Sequence, residues 1–300
     1  MLSNLLRQRP NSLLPRPTSI HQSRHLTKLS RPTHPFFNPS TPRTMNNNNP
    51  ITQLRLYPLK RFYHSGYNRS NGVMPAFYFL LGINTFVFGA MTYAKSTKDI
   101  RLERKLLHNT LLSPASWDQG RWWTLITSAF THADPMHFAF NMLSMYNFCS
   151  LCAFIPGMSA LHIFAIAGGS AITGGLGFLS HRRSKIAAAG GDRQLAVRNY
   201  QTSALGASGA VMGIGAVTAC LVPNAQMQLM FIPIAFPLWV FVAGYGLVDS
   251  YFLNSPTSGI AHAGHLGGLV FGAAYYVAML RKSPVGVWSN MQRLMYSRRR

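Results

Sequence analysis

Four polar side chains, His137, Asn141, Ser208 and His265, sit in long apolar stretches of the chain, where burying a polar group is expensive and a functional reason is the first to consider. A serine hydroxyl becomes a nucleophile when a neighbouring base takes its proton, and an imidazole is such a base. Ser208 lies in Gly206-Ala207-Ser208-Gly209. The flanking Gly206 and Gly209 let a neighbouring helix or a substrate backbone come into van der Waals contact. A lone serine in such a place is otherwise a packing residue. His265 is followed at i+3 and i+7 by Gly268 and Gly272, so a glycine stripe shares its helix face. If that stripe packs on the glycine-rich stretch around Ser208, His265 reaches the hydroxyl, takes its proton and returns it to a leaving amine. His137 and Asn141 are four apart and share a helix face, with N–H donors aimed at one point. The alternative for that pair is a helix–helix hydrogen bond. No Asp or Glu lies within the apolar stretches; Asp249 stands at the end of one. A Ser208–His265 dyad is therefore the economical arrangement. His262, one turn before His265, is the rival base, and His162 reads as a helix-contact histidine.

The elements that must hold these residues follow from composition. The chain has 300 residues, 28 Lys+Arg against 6 Asp+Glu, a net charge of +22, only 11% charged residues and 48% hydrophobic ones. Soluble domains carry about 25% charged residues. A basic, charge-poor, apolar chain is a membrane protein with segregated cations rather than a nucleic-acid binder. Six stretches approach the roughly 20 residues of a membrane helix: about 73–94, 136–155, 160–180, 204–221, 227–248 and 259–280. None of them contains Lys or Arg. Pro156-Gly157 and Pro223-Asn224 read as tight hairpins between the second and third and between the fourth and fifth. Asp134-Pro135 supplies N-cap and N1 for the helix carrying His137 and Asn141. Trp117, Trp122 and Trp123 place the loop between the first two stretches in the membrane interface. Cys149-x-x-Cys152 has no second ligand pair, so it reads as packing rather than a zinc site.

Residues 1–72 hold 11 Lys/Arg and no acid; the first acidic residue is Asp99. An Arg-rich, hydroxyl-rich leader without a secretory apolar core has the composition of a mitochondrial transit peptide. Arg61-Phe62-Tyr63 before His64-Ser65 reads as its cleavage site. The expected organisation is a disordered basic leader (1–72), an all-α six-helix membrane bundle (73–281) and a basic tail (282–300), with no membrane span in the leader.

Together, Arg121-Trp122-Trp123, His132-x4-His137-x3-Asn141, Gly206-Ala207-Ser208-Gly209 and Ala263-Gly264-His265-Leu266-Gly267-Gly268 with Gly272 resemble the motifs of the rhomboid family of intramembrane serine proteases, in order and in the expected stretches. With the leader, the resemblance is to mitochondrial, presenilin-associated-type members of the inner membrane. It implies Ser208 as nucleophile and His265 as base, with His137 and Asn141 stabilising the oxyanion. His132 is implied as a structural or water-organising residue, and Gly206, Gly209, Gly268 and Gly272 as supports. It also implies single-pass transmembrane substrates in the lipid bilayer, entry beside the fifth stretch, no metal and no cofactor. The family's Trp-Arg pair is displaced here to Arg121, and Met212 stands where some members stack a Tyr on the catalytic His. A catalytically silent rhomboid-like chaperone is the alternative; such members lack the Ser or the His, and this chain has both.

Overall fold

The computed structural model describes residues 72–228, 234–255 and 258–282, all within the second of two compact units, Leu56–Arg300. The expected leader and all but the first residue of the expected tail lie outside the described residues. Among those described, helices dominate: α1 (Val73–Ser96), α2 (Ile100–Thr110), α3 (Pro114–Asp118), α4 (Thr124–Thr127), α5 (Pro135–Cys152), α6 (Ala160–Ala187), α7 (Arg193–Gln201), α8 (Ser208–Leu221), α9 (Leu238–Phe252) and α10 (His262–Tyr275). A π-helical turn, Tyr276–Leu280, extends α10.

Local chemistry sets most starts. Asp99, Asp134 and Asp192 each accept a backbone N–H in the first turn of α2, α5 and α7, and Ser113 and Ser116 close a capping box on α3; each satisfies a donor that has no helical acceptor. Pro135 occupies N1 of α5, as its fixed φ favours. By contrast α8 begins after Ala207 with no side-chain cap.

α8 is the central post. Every residue from Ala210 to Ala219 is buried, and α5, α6, α9 and α10 pack around it, with α1 against α5 and α6. Glycine sets the closest approaches. A Cβ on Gly268 would lie 2.1 Å from the Gly209 carbonyl oxygen, and one on Gly272 2.2 Å from that of Gly213. Across the other face, a Cβ on Gly174 would lie 2.6 Å from the Gly264 oxygen. Helices α6, α8 and α10 thus meet backbone to backbone, as small residues permit in membrane bundles. The outer face carries Phe86, Leu161, Leu247, Tyr251 and Val270, each more than 60% exposed, an apolar exterior suited to lipid.

Among the described residues, three helices are long and apolar enough to cross a membrane: Val73–Ser96, Ala160–Ala187 and His262–Leu280. The helices at the other expected spans are shorter or less apolar. α8, with 14 residues, is about 21 Å long, against about 30 Å of bilayer hydrocarbon. The fifth expected span starts late: Gln226–Gln228 and Ala235–Pro237 pair as two short antiparallel strands, and α9 begins at Leu238. That strand pair, with the Leu238 and Trp239 N–H groups donating to the Ala225 and Pro223 carbonyls, stands between α8 and α9 in place of the tight turn that Pro223-Asn224 suggests. The turn after α5 is tight, with Gly157 at φ +90, yet α5 packs mainly on α8 and α1 rather than on α6. Helices also outrun the apolar stretches, α6 carrying Arg182, Arg183 and Lys185 in its last turns. The interfacial segment is largely helical, formed by α2, α3 and α4.

Candidate active site

Ser208 is the first residue of α8. The chain reaches it in an extended bridge, Leu112 to Ala204, then turns through Gly206 at φ +115. Only glycine adopts that backbone without strain. A Cβ there would also lie 2.6 Å from Cε1 of His137, so the bare glycine lets the His137 ring lie against this turn. The bridge, turn and helix reproduce the extended–turn–helix setting in which nucleophilic serines are presented in soluble hydrolases, without a sheet behind it. Being uncapped, the start of α8 offers first-turn N–H groups that have no intrahelical acceptor.

His265 sits one turn inside α10. Its Nε2 is 2.8 Å from Ser208 Oγ. Its Nδ1 is 3.1 Å from both carboxylate oxygens of Asp249 on α9. A carboxylate only accepts, so Nδ1 carries the proton and Nε2 accepts from the Ser208 hydroxyl. His262, the rival, faces away: its Nδ1 is 2.6 Å from Asp249 Oδ1 and its Nε2 is 2.7 Å from Ser258 Oγ. The pairing of Ser208 with His265 depends on the glycine contacts that draw α8 and α10 together.

His137 lines the turn at Gly206 and lies within electrostatic reach of His265. Asn141, one turn further into α5, is buried, and its amide nitrogen donates to the His137 carbonyl at 2.8 Å. His132 is 2% exposed, and its Nε2 accepts the Ala207 N–H at 3.4 Å, fixing the residue before Ser208. Its ring packs edge-on against His137 and Phe138. Burial first, and then the neighbouring His137, lower its pKa to about 4, against a smaller upward pull from Asp134. His162 meets the Tyr275 hydroxyl at 2.8 Å. Cys149 and Cys152 are buried free thiols, and Cys152 Sγ lies 3.2 Å from Thr218 Oγ1 between α5 and α8.

Asp249 is the partner of His265 that sequence reasoning does not reach. It stands just outside the apolar stretch in the sequence, but α9 runs on to Phe252 and leaves Asp249 2% exposed. The available signal was its isolation, as the only acidic residue after Asp192. Asp249, His262 and His265 are also the metal-ligand cluster found among the described residues. Their 2.6 and 3.1 Å separations are those of hydrogen bonds, so protons account for the cluster. A cavity of about 40 Å³ adjoins Ser208 and His265, lined also by Ser128, Gly206 and Gly209. It has room for a little water, not for a peptide.

The fold is a helical membrane bundle with a Ser–His hydrogen bond among its apolar helices. The rhomboid domain family model matches residues 119–282, more than half of the chain's 300 residues, and the chain belongs to the rhomboid family. It is 35% identical over 162 residues to RHOMBOID-like protein 12, mitochondrial, of Arabidopsis thaliana, covering 53% of this chain and 48% of that protein. It is 28% identical over 199 residues to Rhomboid protein 1, mitochondrial, of Saccharomyces cerevisiae, covering 66% and 51% respectively. It is 26% identical over 181 residues to the bovine Presenilin-associated rhomboid-like protein, mitochondrial, covering 56% and 42%. The chain thus spans about half the length of the curated relatives it matches. Family membership supports an intramembrane protease type of function in general. The mitochondrial relatives and the apolar helices assign the chain to the mitochondrial inner membrane as a multi-pass protein.

Proposed function

We propose that this protein is an intramembrane serine endopeptidase that cleaves single-pass transmembrane substrates in or near their spans. The proposed protease domain is 73–281, six spans formed by α1, α5, α6, α8, α9 and α10, after a transit peptide in 1–72. One observation carries the reading: His265 Nε2 lies 2.8 Å from Ser208 Oγ, on two helices held together by glycine.

In the proposed reaction, Ser208 Oγ attacks the scissile carbonyl carbon while its proton passes to His265 Nε2. The carbonyl oxygen becomes an oxyanion, met by the Ser208 N–H at the open end of α8 and by the side chains of His137 and Asn141. The intermediate collapses as His265 protonates the leaving amine. Water, deprotonated by His265, then cleaves the acyl ester and restores Ser208. Because α8 is shorter than the bilayer, Ser208 would lie recessed from the membrane surface. The small cavity holds no peptide, so a substrate would have to part the helices, and α9, which buries only Leu238, Val242 and Asp249, is the element proposed to move.

In proteoliposomes, Ser208→Ala and His265→Ala should each abolish cleavage of a transmembrane substrate while the protein still inserts. Undiminished cleavage by Ser208→Ala would overturn the reading. A silent chaperone would leave Ser208 unlabelled by a fluorophosphonate in the folded protein.

A further inference from the structure

We propose that Asp249 is a positioning residue for His265, so that the site works as a Ser208–His265–Asp249 triad, with His262 holding the carboxylate in place. The inference rests on the reading of Ser208 and His265 as the reacting pair. A carboxylate in an apolar helix is costly unless fully hydrogen-bonded. Asp249 is 2% exposed, and the hydrogen bonds of its side chain go to the ring nitrogens of His262 and His265. Both of its oxygens lie 3.1 Å from His265 Nδ1, which fixes the tautomer whose Nε2 can accept from Ser208. When the Ser208 proton arrives, the imidazolium forms beside an anion in a low-dielectric site.

His262 completes the device. Its Nδ1–H donates to Asp249 Oδ1 at 2.6 Å, and its Nε2 accepts from Ser258 Oγ at 2.7 Å. Ser258 Oγ in turn accepts the Ile260 N–H at 3.2 Å. The hydrogen-bond chain therefore runs from Ser258 through His262, Asp249 and His265 to Ser208. The titratable groups around His265 are Asp249 from α9, His262 from its own helix, His137 from α5 and Ser208 from α8. Helix α6 meets α10 there through Gly174 and Gly177, and its His181, Arg182 and Lys185 lie at the His262 end.

The test is the rate of fluorophosphonate labelling of Ser208 against pH, in the full chain, for the wild type, His265→Ala, Asp249→Asn and His262→Ala. Asn keeps the shape and an acceptor but removes the charge. Labelling of Asp249→Asn should fall on the order of 10²- to 10⁴-fold. Its acid limb should move down by about one pH unit or more, because the carboxylate that favours the imidazolium is gone. In His262→Ala the carboxylate loses one donor and its charge is less neutralised, so the acid limb should move up instead. A purely structural bond between α9 and α10 would also move the limb of Asp249→Asn, since any anion beside the imidazole favours its protonated form, but it predicts no loss of labelling at pH values above the limb. If the wild type labels in a His265-dependent way while Asp249→Asn labels within about threefold and on the same acid limb, the inference fails and the protease reading stands. If Asp249→Asn does not fold, an unmoved acid limb in His262→Ala overturns the inference. If the wild type itself shows no His265-dependent labelling, the protease reading fails first.

Discussion

Asn141 donates to the His137 carbonyl in the resting protein, and that bond leaves a second amide N–H on the same nitrogen. If that N–H meets the oxyanion, Asn141→Ala should lower kcat about 100-fold, near 3 kcal/mol, with little change in KM. Steady-state kinetics on a transmembrane substrate would read this, and an effect confined to KM would make Asn141 a packing residue. Gly206 offers a second test. Its φ of +115 and the 2.6 Å approach of His137 leave no space for a Cβ. Gly206→Ala should cost about 1–3 kcal/mol of backbone strain and also displace His137. Gly191, at φ +95 with open space around it, is the control: Gly191→Ala should carry similar strain yet leave activity intact. At this scale the sequence was readable wherever a residue's type was itself anomalous. Ser208, His265, His137 and Asn141 stand out because polar groups are rare in apolar stretches. The choice between His262 and His265 was not readable from spacing alone, since one turn separates them. The geometry separates them by partner: His262 is tied to Ser258, and His265 faces Ser208.

Among the elements, the glycine contacts of α6, α8 and α10 govern the distance on which the proposed chemistry depends. Gly272→Ala would set a methyl 2.2 Å from the Gly213 carbonyl, so α8 and α10 must part. The overpacking should cost about 1–3 kcal/mol, and a 1 Å widening at Ser208–His265 should cost about 100-fold in turnover. Gly82→Ala, with nothing near its Cβ, should do neither; thermal unfolding in detergent with parallel labelling of Ser208 would compare them. The glycine stripe and the Asp134-Pro135 start of α5 were legible because each follows from local spacing or capping. The late start of α9 was not. The apolar run from residue 227 onward is hydrophobic enough for a helix, and the pairing of Gln226–Gln228 with Ala235–Pro237 is a non-local choice that hydropathy does not encode.

For the molecule as a whole, pH tests how the loop before α5 is tied to α8. His132 is buried and neutral, with its pKa lowered to about 4, whereas an unfolded histidine titrates near 6.5. Between those values the unfolded chain binds the extra proton, so this contribution favours folding above about pH 6.5 and is lost as pH falls toward 4, by up to about 3 kcal/mol. Melting curves in detergent should therefore drop across that window, and His132→Gln should flatten the drop. A slope unchanged in the variant would assign the acid sensitivity elsewhere. The net charge of +22 is likewise a whole-molecule property, and it resolves into cations outside the apolar stretches. The sequence by itself determined which stretches are apolar, where several helices start, and which uncharged polar residues interrupt them, because each of these is a matter of composition or of neighbours within a turn or two. Only the tertiary structure decided that Asp249 joins His265. The two lie on separate helices, and the bond exists because α9 continues past its apolar run and turns a buried carboxylate toward α10.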